Sequence, residues 1–276
     1  MNKLLAANFM CLRKNKCFWA GMVLMMVLGI YFPVLRYISA EQDGLFYNVD
    51  SCFCFCAIFV PIVLSVFCSL FVGTEYSDGT IRNKIMVGHQ RMSVYLAGLL
   101  VNMAAALMLC AAFFLVYLCV GLPLLGSFET ERRVVLLLVL AVFILCITCA
   151  SIYTMISILC NSKAVSAVIC ILCVFMMLTA GTYINSRLQE PETFPGYTYE
   201  VNGEVQNEGE EKNPHYLEGT QRQVYEFLYD FLPGGQMVQC SVMESGNPLL
   251  LVGYSVIIFV VTTFGGIVFF RKKNIV

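Results

Sequence analysis

The residues of this chain with chemistry to offer are its 14 cysteines, 2 histidines and 18 carboxylates, and their spacing decides what they can do. Cys146-x-x-Cys149 and Cys170-x-x-Cys173 have the spacing of metal or redox pairs. Yet no His, Asp or charged helper lies near either pair in its apolar run, so these thiols are expected to pack as small hydrophobes. The cluster Cys52, Cys54, Cys56 is read the same way, as filler at the edge of an apolar run. A nucleotide-binding G-x-x-x-x-G-K-[ST] loop is absent from the sequence. No catalytic residue, metal site or cofactor site is therefore expected. What remains is a polar stretch, Gly73-Thr-Glu75-Tyr76-Ser-Asp78-Gly79-Thr80-Ile-Arg82-Asn-Lys84, whose charges of both signs suit docking rather than catalysis.

That stretch must be held by its surroundings, and these are apolar. Hydrophobic residues make up 59% of the 276 and charged residues 13%, against roughly a quarter charged in soluble domains. A soluble fold of this size cannot hide so much apolar surface, whereas lipid covers what the protein does not. About 20 mainly apolar residues cross the hydrocarbon core as a helix. Six segments meet this length, at residues 17–38, 52–72, 94–120, 134–158, 164–184 and 249–270. The first is read as a retained span, being longer than a signal-peptide core and without a small-x-small cleavage site. The expected fold is an all-α polytopic membrane protein with six transmembrane helices, forming one transmembrane domain over residues 1–276.

Basic residues orient the spans. With the N-terminus inside, Lys3, Arg13, Lys14, Lys16, Arg82, Lys84, Arg91, Lys163, Arg271, Lys272 and Lys273 all fall on the cytoplasmic side. Glu75 and Asp78 are then the only cytoplasmic acids. Both termini are expected in the cytoplasm, with one large extracellular segment, 185–248, between helices 5 and 6. The net charge of −1 points to no nucleic-acid partner.

The segments beside the spans carry their own signals. Residues 1–16 place Leu5, Phe9 and Leu12 at helical spacing among basic residues, which suits either an interfacial amphipathic helix or a plain basic flank. Within 185–248, Tyr199–Val205 reads as a hairpin turning at Asn202-Gly203, and 207–213 as a flexible acidic stretch. Thr220 and Gln223 are spaced for a capping box. Val224, Phe227, Leu228 and Phe231 then line one face of a helix, which rests on the outer membrane surface or packs on the bundle. Pro233-Gly234-Gly235 is expected to stop it. The tail Arg271-Lys272-Lys273 reads as a stop-transfer anchor.

The spans lack Asp, Glu, Lys, Arg and His at their centres. Ion-coupled transporters place ionisable groups there, so a proton-driven pump is disfavoured, as is intramembrane hydrolysis. Energy for any uphill transport must come from another polypeptide. Here the stretch between spans two and three resembles the G-x-E-x-x-x-G-T-[IL]-[RK] segment of type-2 ABC transporter permeases. Asn213-Pro214-x-Tyr216-x-x-Gly219 and Tyr225–Gln236 are similar to a variant of Gram-positive bacteria. The resemblance implies that 73–93 is the cytoplasmic coupling segment, with Gly73, Glu75, Gly79, Thr80, Arg82 and Lys84 coupling to an ATPase. Gly73 is expected to end span two, and Thr80 to begin a short helix along the inner membrane face.

It further implies a bacterial cell-membrane exporter assembled from two cytosolic ABC ATPase subunits and two permease subunits, the second a copy or a relative. The chain would be a transport subunit rather than an enzyme, with a drug or antimicrobial peptide as cargo. Two other classes remain open: a membrane-anchored sensor or assembly protein binding a partner through acidic 185–248, and a membrane enzyme using His215. The sensor predicts that charge reversal at Arg82 and Lys84 leaves function intact, and the enzyme predicts loss of activity, measured as turnover, on His215→Ala.

Overall fold

The computed structural model describes residues 2–44, 47–160, 162–194, 198–201, 204–207 and 211–273. Helices dominate them: α1 Asn2–Lys14, α2 Lys16–Asp43, α3 Cys56–Ser77, α4 Thr80–Met86, α5 Arg91–Leu125, α6 Arg132–Leu159 and α7 Lys163–Leu188. After a strand-bearing segment come α8 Gly219–Phe231, α9 Pro233–Val242 and α10 Pro248–Lys272. Six of these, α2, α3, α5, α6, α7 and α10, are long and apolar enough to cross a membrane. Helices suit lipid because they satisfy their own backbone groups. The second span starts at Cys56, because Cys52 takes a positive φ and the preceding residues form turns.

α6 is the hub. It packs against α10, α3 and α5, and its buried face carries Thr148, Ser151, Thr154 and Ser157 at a three-residue spacing. The Thr148 hydroxyl donates to the Ser255 carbonyl of α10 (2.9 Å). Ser151 shares a hydrogen bond with Thr262 (2.9 Å), and Asn102 of α5 donates to Thr154 (2.8 Å). In hydrocarbon such pairs contribute about 0.6 kcal/mol each, and they fix which helix faces meet. All 14 cysteines are free thiols, most of them buried; Cys110 and Cys146 touch across α5 and α6 with sulfurs 3.5 Å apart.

The two ends of the bundle differ in charge. One gathers α1, α4 and the tail Arg271–Lys273; Lys84 of α4 reaches Asn8 of α1, and Lys273 reaches Tyr76. At the opposite end Asp50 accepts hydrogen bonds from the Glu129 and Thr130 backbone amides. Two short antiparallel pairs, β1 (Thr193–Phe194) with β4 (Glu211–Lys212) and β2 (Thr198–Val201) with β3 (Glu204–Asn207), lie in that acidic segment. The β2–β3 register sets Val201 opposite Glu204, the hairpin expected here; its Asn202-Gly203 turn lies outside the described residues. Residues 208–210 of the acidic stretch also lie outside them.

One local expectation is corrected and another extended. α8 begins at Gly219 with Glu218 at its N-cap and no side-chain cap, so Thr220 falls inside the first turn and the capping box does not form. Pro233 ends α8, as expected, and also opens α9, whose residues 233–241 are buried while Val242 at its end is exposed. Proline suits the first turn of a helix, where its missing N–H would lack a partner anyway. α9 inserts among α3, α6 and α7 because glycines bring backbones together. A Cβ at Gly234 would collide with the Met177 carbonyl of α7, and one at Gly181 with the Gly234 backbone.

α8 packs on the bundle rather than standing apart. Phe227 and Phe231 stack at 5.6 Å, and both meet Tyr254 of α10 edge-on, at 5.9 and 5.5 Å. Tyr229 donates to Asn185 of α7 (2.8 Å). Gln236 and Gln239 of α9 donate back to the end of α8, through Asp230 and Tyr229.

Gly234→Ala is expected to destabilise the bundle by about 1–3 kcal/mol, the usual cost of overpacking against unyielding atoms. Gly246→Ala, where no atom lies within 4 Å of the added methyl, is expected to leave the unfolding midpoint in detergent unchanged.

Candidate functional site

The polar stretch between the second and third spans folds as a hairpin braced by its own charges. α3 does not end at Gly73, as its glycine suggested, but continues to Ser77. The glycine serves a contact instead: a Cβ there would come within 2.9 Å of the Lys163 Cα, so its absence lets α7 start against α3. Gly79, at φ +66° in the left-handed region, turns the chain and opens α4 at Thr80. The Thr80 hydroxyl donates to the Glu75 carbonyl across that turn (2.8 Å). α5 then leads away; at 35 residues it exceeds the length needed to cross a bilayer.

The six residues singled out from sequence divide into two groups here. Glu75 and Lys84 face each other at 2.6 Å, each side chain only 18% and 17% exposed. Lys84 also donates to Asn8 of α1 (3.0 Å), tying α4 to the first helix. These two, with Gly73, Gly79 and Thr80, shape the hairpin. Arg82 stands apart: it is exposed and makes no ion pair among the described residues. Beside it, Met86 and Val87 are 67% and 80% exposed. Charge reading passed over these two apolar residues, because nothing in their type distinguishes a bare tip from a covered face.

A second constellation supports the same end, and sequence reading took it for a plain anchor. Lys273 donates to the carbonyls of Ile158 (2.6 Å), Leu159 (3.0 Å) and Cys160 (3.3 Å), the open end of α6. Tyr76 donates to the same Ile158 carbonyl (2.7 Å), and the Lys273 ammonium lies 4.5 Å from its ring centre. Arg91, opening α5, donates to the carbonyls of Arg271 (3.0 Å) and Lys273 (2.5 Å) at the end of α10. Cations are favoured at helix C-termini, where unpaired carbonyls concentrate negative potential. Burial pulls the Lys273 ammonium below the usual lysine range. The end of α3 is thus latched to α6 and α10 beside the hairpin.

The six helices long and apolar enough to cross a membrane, with an exposed, charge-braced hairpin after the second, define a multi-pass membrane protein. The profile of the ABC-2 family transporter proteins matches residues 4–180, and the chain belongs to that family. The match runs from α1 into α7 and includes the hairpin. Among curated proteins none matches the chain. Membership makes this a membrane component of an ABC transporter, and implies an ABC ATPase as partner.

Glu75→Gln is expected to cost about 1.5–3 kcal/mol, the range for hydrogen bonds to charged groups, since it leaves Lys84 half-paired away from water. In a double-mutant cycle with Lys84→Met, unfolding in detergent should show the second change costing far less once the first is made.

Proposed function

We propose that the chain is the membrane-spanning permease subunit of an ATP-driven exporter, and that the hairpin receives the motion of its ATPase subunits. The basic end, rich in Lys and Arg, is placed in the cytoplasm on the positive-inside rule. The acidic segment 185–248 is then extracellular, and the membrane is that of a bacterial cell. Two such permeases, identical or related, enclose the path, and two ATPases dock below.

One observation carries the reading: the tip formed by Arg82, Met86 and Val87 is exposed, while the rest of the hairpin is fixed by Glu75–Lys84 and Thr80. A bare tip on a rigid base suits a lever. ATP-driven closure of the ATPases would push on α4, and the brace would pass that push to α3. The latch at Tyr76 and Lys273 extends it to α6 and α10. Bound cargo is of amphipathic class, a drug or antimicrobial peptide, in keeping with spans rich in Met and aromatic residues.

The test is co-purification from native membranes followed by nucleotide hydrolysis. Arg82→Glu/Val87→Asp touches only the tip and is expected to abolish ATPase recovery, or to uncouple hydrolysis from export, without shifting the unfolding midpoint. Lys84→Glu is the poorer probe because it also breaks the brace. A chain that purifies alone, without hydrolysis, would instead support a sensor or assembly role acting through the acidic segment.

A further inference from the structure

At the end of the bundle opposite the hairpin, the close of α2 and the close of α5 flank an open cleft of about 350 Å³. Gly44, in the left-handed region at φ +65°, caps α2 and donates its N–H to the Ala40 carbonyl (3.1 Å). The chain leaves the helix there, and Tyr47 joins Tyr37 and Glu41 of α2 in lining the cleft. Leu124 and Leu125 of α5 supply an apolar wall. The Tyr37 hydroxyl donates to one Glu41 carboxylate oxygen (3.0 Å), and that carboxylate has no ion pair among the described residues. Among the described residues, no Lys, Arg or His lines the cleft.

We propose that this cleft binds an organic ammonium group carrying an apolar tail. The cation sits against Glu41 and the Tyr37 and Tyr47 rings, and the tail runs along Leu124 and Leu125. The site belongs to this chain alone and does not require the permease reading. Aromatic faces attract cations, more strongly where water is displaced. Tyr47 already shows that affinity: the Arg36 guanidinium lies over its ring, 5.2 Å from the centre. Arg36 is held by the Cys52 sulfur (3.2 Å) and is not a lining residue. Residues 37–50 carry Glu41, Asp43 and Asp50 and no Lys or Arg, so the local charge stays negative with Arg36 included. An anion would be repelled there. A sugar would find two tyrosine hydroxyls, one already engaged, and a single carboxylate. A tailed ammonium uses the charge, the rings and the leucines together. The place of the cleft, at the end of two apolar spans, suits an amphiphile. An aminolipid head group and a free cationic amphiphile share this chemistry.

The probe is hexyltrimethylammonium, titrated calorimetrically into the full-length chain in maltoside detergent, with hexanesulfonate as its anionic counterpart. The cation is expected to bind and the sulfonate not. Glu41→Gln and Tyr47→Leu should each weaken the cation by about tenfold, or 1.4 kcal/mol. Tyr47→Phe keeps the ring and should bind as the wild type does, which separates a lost ring face from a disturbed fold. Equal affinity in the wild type, Glu41→Gln and Tyr47→Leu would overturn the site, as would equal binding of the sulfonate. Repeating the titration in phosphatidylethanolamine and in phosphatidylglycerol nanodiscs distinguishes the sources. Loss of the wild-type advantage over Glu41→Gln in phosphatidylethanolamine alone supports the site with an aminolipid as occupant. An advantage kept in both supports it with a free amphiphile.

Discussion

Hydrocarbon offers no hydrogen-bond partners, and that constraint organises the bundle from its middle to its ends. Each transmembrane backbone must satisfy itself as helix, and polar side chains must find one another across helix faces. The hydroxyl row of α6 meets this demand by engaging α10 through Thr148 and Ser151, and α5 through Thr154. Because those partners sit on specific turns, the row sets which faces meet. Packing of equivalent Leu faces would not discriminate so well, since lipid tails are as apolar as leucine.

The same demand is sharpest where helices stop. The last carbonyls of α6 and α10 have no partners of their own, and Lys273 and Arg91 fill the need. Capping a helix end with a residue from another element also ties the two elements together. Four helix termini, of α3, α5, α6 and α10, therefore meet beside the hairpin as a mechanical unit. A push delivered at α4 would reach the bundle at several points rather than along α3 alone.

Much of this was legible in sequence because lipid imposes a composition. Six apolar runs of spanning length gave six helices, and Thr80 gave the start of α4. Read alone, Gly73 marks a break, because glycine interrupts helices in isolation. In the bundle Gly73 admits α7, and Pro233, which does end α8, also opens α9 at a position where proline costs nothing. Local propensity names what a residue permits, and the neighbouring helix decides which permission is used.

By itself the sequence determined the class of fold, the number of spans, the segregation of charge to one end and the place of the hairpin. Each depends on composition or on spacing along a single helix, and these need no partner to be read. Only the tertiary structure decided that Glu75 and Lys84 neutralise each other while Arg82, Met86 and Val87 stand bare, that Lys273 caps α6, and that α9 is buried. Those outcomes depend on which residues distant in sequence come within 3 Å. No pattern along one helix encodes that distance; it follows from how the helices pack.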